Sequence, residues 1–383
     1  MRRLVIVPVA FLVGCASFSE DGGFGRVEQA VAERGTGQAQ WVRSAKEADS
    51  VSTRIKELLA KPLSAGDAVQ IALLNNPGLQ ARYAELGITE ADLVQASRWS
   101  GPKLGFARLT RGDEVERETS IFFDALGLLS IPLSTKAQEK RFAAAQHRAA
   151  EEALRLALQT RKAWFVAVAA QQSAKYMEDV QLAAEASADL ARRMAEIGNW
   201  PFITRAREQA FYADTTAQLA RAHLAHTAAR ERLTRLMGLW GEDIGYVLPE
   251  RLPELPAEAR EGGGLEAQAM RQRLDMQAGN RAADSAIRAR SEVRESYAAY
   301  RTAFDIARHY RDEIVPLRKR ISEEMLLRYN GMLSSVFELL ADSRDAVASV
   351  NAYLQAQRDF WIAETDLQMA LTTGSRALKG LRQ

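Results

Sequence analysis

Long alanine-rich helical stretches, arranged in pairs and then repeated, limit this chain's fold more than any other feature. From about Thr135 to Ile197 the sequence is one continuous helical pattern, stopped by Gly198-Asn199-Trp200-Pro201 and resumed from about Phe202 to Met237. The arrangement recurs from about Asn280 to Tyr329, with a stop at Asn330-Gly331 and a second arm from about Leu333 to Leu371. At 1.5 Å per residue the first arm spans roughly 90 Å, far beyond a globular helix. Between the halves lies a Pro/Gly-rich connector, Leu239 to Gly264, which includes Leu252-Pro253-Glu254-Leu255-Pro256 and Gly262-Gly263-Gly264. Two antiparallel helical hairpins joined by a linker are the signature of an internal duplication. Helices this long and this rich in small residues need neighbours from other copies to cover them. Periodicity alone allows either a coiled-coil rod or a tubular assembly.

The first residues, MRRLVIVPVAFLVGC, pair two arginines with a short apolar run and end in Leu12-Val13-Gly14-Cys15. The run from Leu4 to Val13 is about ten residues, short of the roughly 20 that a membrane-spanning helix needs. It reads as a lipoprotein signal peptide with Cys15 as the lipidated residue. Ala16, not an aspartate, follows the cysteine, the pattern of outer-membrane sorting. Without Arg2 and Arg3 the chain has 49 basic residues (51 minus 2) against 49 acidic ones, so no basic face argues for nucleic acid. Cys15 is the only cysteine, which leaves no disulfide to form.

Polar, Gly/Ser-rich sequence from Ser17 to about Pro62 reads as extended. Ser64 then caps a helix, with Asp67 as an acidic variant of the capping box, and Asn75-Asn76-Pro77 ends it. A second helix runs from about Pro77 to Arg98. From Lys103 to Leu133 glycines, β-branched residues and aromatics take over, with alternation at Leu104, Phe106 and Arg108, and a β-hairpin is expected.

The segment Leu63 to Ala81, LSAGDAVQIALLNNPGLQA, resembles the opening helix of the TolC-type outer-membrane efflux factors: a capped helix with acid-Ala and Ala-Leu, then Asn-Pro-x-Leu and a second long helix. The resemblance continues through Ile131-Pro132-Leu133 and both hairpins to Gly374. It implies a mainly α fold of two long antiparallel helical hairpins, the protomer of an α-barrel, with a β-hairpin contributed to an outer-membrane barrel. It further implies a homotrimeric channel, lipid-anchored in the outer membrane and extending into the periplasm, that passes substrates from an inner-membrane pump and its periplasmic adaptor. No cofactor and no metal are implied.

The chain's own duplication exposes a departure from that family. Leu79-Gln80-Ala81 corresponds to Met276-Gln277-Ala278 at an offset of 197, whereas Arg148-Ala149-Ala150 corresponds to Arg281-Ala282-Ala283 at an offset of 133. About 64 residues, including the second β-hairpin, are therefore missing from the second half. A trimer would supply about six strands, below the roughly eight of the smallest outer-membrane barrels. Either another element replaces the barrel or the chain is a deletion derivative with an impaired pore. The expected partition is 1–14 signal peptide, 15–62 lipid-anchored extended segment, 63–238 first repeat with its β-hairpin at about 103–133, 239–264 linker, 265–374 shortened second repeat and 375–383 tail. The helix after the linker is expected to run on from Leu265 without a β-excursion, with a kink at Gly279.

The resemblance also assigns roles to the two stops. Gly198, Asn199, Trp200 and Pro201 in one, and Asn330, Gly331 and Met332 in the other, would form the periplasmic tip that meets the adaptor. The residues themselves need no partner: glycine and asparagine tolerate the left-handed conformation that ends a helix, with Gly331 expected to adopt it, and proline suits the next first turn. Tyr329, Glu338 and Asp342 match parts of the family's gate, although the arginine expected after the second tip glycine is absent and Asp342 is one place out of step. As ordinary residues, Glu338 and Asp342 would be solvated acids near a helix start.

Catalytic readings find little support. His223 and His226 share a helical face without a third ligand nearby in sequence, and His147 and His309 are isolated. No phosphate loop, nucleophile elbow or metal-protease motif occurs, and Arg111-Gly112-Asp113 reads as turn sequence. Trp164, Tyr176 and Met177 read as packing residues. An enzyme is not expected. The competing class is a lipid-anchored periplasmic coiled-coil adaptor or scaffold.

Overall fold

The structure, a computed structural model, describes residues 18–98, 103–111, 114–122, 125–277 and 282–374. Cys15, Gly112, Asp113, Gly279 and the tail 375–383 lie outside the described residues. In chain order the elements are α1 (Gly25–Ala32), α2 (Ala45–Leu59), α3 (Ala65–Asn75), α4 (Pro77–Ala96), β1 (Lys103–Arg111), β2 (Glu114–Phe122), α5 (Ala125–Glu196) and α6 (Phe202–Met237). They continue with α7 (Leu265–Gln272), α8 (Leu274–Gln277), α9 (Ala282–His309), a π-turn at Tyr310–Ile314, α10 (Val315–Asn330) and α11 (Val336–Thr372). Two paired helical hairpins and one β-hairpin thus emerge as the sequence patterning requires. No helix among the described residues is long and apolar enough to cross a membrane.

By its contacts the chain divides into two compact units, Met1–Val27 with Ala81–Ala150, and Glu28–Gln80 with Glu151–Gln383. In the larger unit, one core gathers Ile55, Leu63, Ile71, Trp164, Val168, Leu233 and Met237. The Trp164 ring N–H donates to the Leu63 carbonyl at 2.8 Å, which ties α5 to the start of α3. A second core joins Leu265, Ala269, Tyr300, Phe304, Phe360 and Leu371. Trp361 packs against both and stacks on Phe165 at 5.0 Å between ring centroids.

The duplication is visible at a joint within this unit. Asn76 ends α3 at φ −65°, ψ 117°, and its N–H donates to Ala72 O. Arg273 ends α7 at φ −68°, ψ 127°, with its N–H on Ala269 O. Both residue pairs differ by 197, the offset read from sequence. Each break residue then reaches the end of its hairpin's returning helix: Asn76 Nδ2 donates to Leu236 O at 3.0 Å, and Arg273 Nη1 to Ala370 O at 3.4 Å.

In the smaller unit, Phe24 meets Tyr83 edge to face at 4.8 Å. The buried Glu90 carboxylate accepts from the Ser19 backbone N–H at 2.8 Å. The hairpin pairs antiparallel from Lys103↔Phe122 to Arg111↔Glu114 and is the only sheet among the described residues.

Several expectations need correction. Residues 15–62 are not an extended segment throughout, because α1 and α2 lie within it. Ser44 caps α2 by accepting from Glu47 N–H, and Val51, Ile55 and Leu58 recur at helical spacing to bury one face. The β-hairpin ends at Phe122, not Leu133, and α5 begins at Ala125, so Ile131-Pro132-Leu133 is helical. A proline removes one backbone donor, a small loss against a helix of 72 residues. The second repeat's helix has no strand among its described residues, yet it is not continuous, since Arg273 breaks it as Asn76 breaks the first. It also carries the π-turn just before Pro316. That turn accommodates the ring and the missing N–H without ending the helix.

The paired turns as candidate functional site

Both stop sequences lie in the larger unit, and both end a helix by the same hydrogen-bond scheme. At the first, Gly198 N–H donates to Ala195 O at 3.1 Å and Asn199 N–H to Met194 O at 2.9 Å, with Gly198 left-handed at φ 79°. At the second, Met332 N–H donates to Tyr329 O at 3.0 Å and Leu333 N–H to Arg328 O at 2.8 Å. Each pair of bonds makes a Schellman motif, which satisfies carbonyls that a helix end leaves open. The left-handed residue of the second turn is Met332 at φ 61°, while Gly331 sits at φ −80°. The expectation for Gly331 was thus one place early: the motif's register follows the last helical turn, and a glycine at its C-cap does not have to be the residue that reverses the chain.

Pro201 then opens α6 as its N-cap. Ser335 opens α11 with a full capping box, its hydroxyl accepting from Glu338 N–H while the Glu338 carboxylate accepts from Ser335 N–H. Trp200 of the first turn packs against Phe337 beyond the second, ring centroids 5.1 Å apart. The two turns therefore lie side by side. Around them Ile197, Phe202, Ile203 and Leu327 are exposed, and Met332 and Leu333 are 94% and 80% exposed. Such a group of uncovered apolar side chains is the ordinary mark of an interaction surface.

Behind the turns the two hairpins are linked by charge. Glu208 of α6 is buried; it accepts from Ser187 Oγ of α5 at 2.8 Å and from the Arg344 guanidinium of α11. Arg344 also lies over the Phe211 ring, 4.6 Å from its centroid. Asp342 is buried, not solvated, and accepts from Ser322 Oγ at 2.6 Å. Glu338 is exposed and held below the ordinary carboxylate range by the Ser334 hydroxyl and then the Ser335 backbone N–H. Tyr329 is exposed, and no hydrogen bond or ion pair joins Tyr329, Glu338 and Asp342 to one another among the described residues. The structure thus brings Trp200 together with the second turn, but leaves the three sequence-matched gate residues apart. Sequence reasoning missed Glu208, Arg344 and Phe337, because nothing local distinguishes an acid or arginine that faces a neighbouring helix from one that faces water.

His223 Nε2 lies 3.6 Å from Glu178 Oε1, and burial, then Arg230, then His223 push the pKa of His226 down. No group of three metal-ligating side chains occurs among the described residues. Trp164 and Met177 are buried in the helical packing, as their positions suggest.

No protein-family profile matches the sequence, and no curated protein does. Solved structures do. A membrane protein from Pseudomonas aeruginosa is similar over 80% of this chain and 92% of its own, with a TM-score of 0.64 at 16% identity. The Campylobacter jejuni CmeC outer membrane channel matches 83% of this chain and 88% of its own, TM-score 0.63, at 14% identity. The Vibrio cholerae outer membrane protein VceC matches 81% and 96%, TM-score 0.63, at 13% identity. What this chain shares with them is the fold.

Proposed function

From the fold it shares with TolC-type outer-membrane channels, we propose that this chain is the outer-membrane channel component of a tripartite efflux or secretion system. In this reading it is a homotrimer, anchored through a lipid on Cys15 and extending into the periplasm. It receives substrates from an inner-membrane pump through a periplasmic adaptor. The observation that carries the reading is the likeness in fold to outer-membrane channels over about four-fifths of the chain. The paired turns, Gly198 to Pro201 and Asn330 to Met332, are the adaptor-docking tip, supported by their contact through Trp200 and by their exposed apolar side chains. Tyr329, Glu338 and Asp342 are the gate residues of this proposal. The role is conduction, without catalysis or a cofactor. The one sheet among the described residues, read with the roughly 64 residues absent from the second repeat, supports the reading of the chain as a deletion derivative with an impaired pore.

Two measurements test this. Steady openings of the purified full-length chain in a planar bilayer would show a competent pore, and only leak or no current would support the impaired one. In an efflux complementation assay, with a version carrying a restored second β-hairpin as positive control, Met332→Ser with Leu333→Ser is expected to lower efflux at unchanged membrane level and helix content. These substitutions leave the backbone hydrogen bonds of the turn in place. His223→Ala with His226→Ala is expected to be silent. Full efflux from the turn variant would overturn the docking assignment.

A further inference from the structure

The β-hairpin divides its charge unevenly between its faces. Alternation along antiparallel strands puts Leu104, Phe106 and Arg108 of β1 on the same face as Val115, Arg117, Thr119 and Ile121 of β2. Arg108 stands directly opposite Arg117 in the register. Opposed residues have Cβ atoms about 4.5–5.5 Å apart, and like charges at that spacing repel. Both arginines are exposed, and among the described residues neither has a hydrogen bond or ion pair. The acids Glu116 and Glu118 are on the other face with Lys103, Gly105, Ala107 and Ser120, and that face also carries Leu109 and Phe122.

A hairpin that meets a bilayer turns its more apolar face to lipid and its polar face away from it. Here the face with Leu104, Phe106, Ile121 and Val115 holds two unpaired guanidiniums and no acid among its described side chains. Arginine on a lipid-facing strand is costly at the bilayer centre and nearly free at the interface. We infer that Arg108 and Arg117 together form a binding site for the phosphate headgroup of an anionic lipid, which seats the hairpin at the headgroup layer with its apolar side chains inserted beneath. Two guanidiniums can each offer a fork of donors to one phosphate, and the anion removes their mutual repulsion. This rests on the proposed membrane location of the chain, but not on its forming a pore.

The test is a lipid titration of the purified full-length chain in neutral detergent, read by native mass spectrometry with phosphatidylglycerol or phosphatidylcholine. At about fivefold per arginine near a membrane surface, the anionic lipid should be preferred on the order of 25-fold. Arg108→Gln with Arg117→Gln should abolish the preference, whereas Lys103→Gln, which removes a charge from the opposite face, should change it less than twofold. Equal binding of the two lipids overturns the site, and so does an equal loss from Lys103→Gln, which would mean unspecific attraction. Displacement by inorganic phosphate but not by chloride at matched ionic strength, without any lipid preference, would assign the pair to free phosphate and overturn the headgroup. An anion-selective current lost in the double arginine variant, again without lipid preference, would place the pair in a lumen and overturn the inference. Bilayer conductance of the unmodified chain reports on the channel reading separately, so either conclusion can fail alone.

Discussion

At Asn76 the first half of the chain turns its backbone with a neutral amide, and at Arg273 the second half makes the same turn with a buried guanidinium. Asn76 is self-sufficient: its Oδ1 accepts from Leu79 N–H at 3.0 Å to cap α4, while its Nδ2 closes the end of α6. Arg273, with a side chain only 3% exposed, also requires Glu292 at 2.7 Å to neutralise it. The backbone joint is duplicated, and its side-chain chemistry is not. A repeat therefore conserves the geometry of a break more tightly than the group that satisfies it. The price of the arginine is dependence on a partner.

The largest expected effect separates these solutions. Arg273→Met removes the buried guanidinium that pairs with Glu292 and bonds the end of α11, and should destabilise the chain by about 3 kcal/mol, read as a lowered midpoint in chemical denaturation followed by circular dichroism. Asn76→Ala loses a cap and one interhelical bond and should cost about 1–2 kcal/mol in the same measurement. Equal costs would mean that the buried ion pair adds nothing to the joint, and the contrast between the joints would disappear.

The two tip turns sharpen the same contrast between shared backbone and differing residue. Gly198→Val puts a β-branched residue at φ 79° and should cost about 1–2 kcal/mol. Met332→Gly removes a comparable strain at φ 61° and should stabilise by about 1 kcal/mol. Gly331→Ala, at φ −80° with its nearest neighbour 3.4 Å from the added carbon, should stay within about 0.5 kcal/mol. If Gly331→Ala were the costly change, the left-handed residue would be Gly331 after all.

The smallest effect concerns pH. The Ser334 hydroxyl and the Ser335 backbone N–H hold the Glu338 pKa below its ordinary value of 4.5. Its capping contribution is thus fully present above that value and is lost as pH falls through the lower folded-state pKa. Amide exchange in the first turn of α11 should accelerate only below about pH 4.5, whereas the first turn of α6, opened by Pro201 without a side-chain cap, should show no such step. Matching acid responses at the two helices would remove the distinction.

Much of this architecture is legible in one dimension. The arms of the hairpins, their stops and the linker follow from helical periodicity and from glycine and proline punctuation, which act between near neighbours, and the 197-residue offset follows from self-similarity. The break at Arg273 was also within reach, since the same offset carries Asn76 onto it; arginine is a strong helix former, and its propensity hid the joint. Pro132 misled in the opposite sense, because the loss of one backbone donor does not end a helix of 72 residues.

By itself the sequence determined the long helical arms, where they reverse and that the chain is built twice, because capping, turn chemistry and apolar spacing are properties of neighbouring residues. Only the tertiary structure decided that Met332 carries the left-handed turn, that Trp200 meets Phe337, and that Glu208 is buried against Arg344 while Arg273 is buried against Glu292. Each of these depends on which helix faces which. A buried charge is tolerated only where a partner from another helix stands opposite it, and no local pattern records that partner.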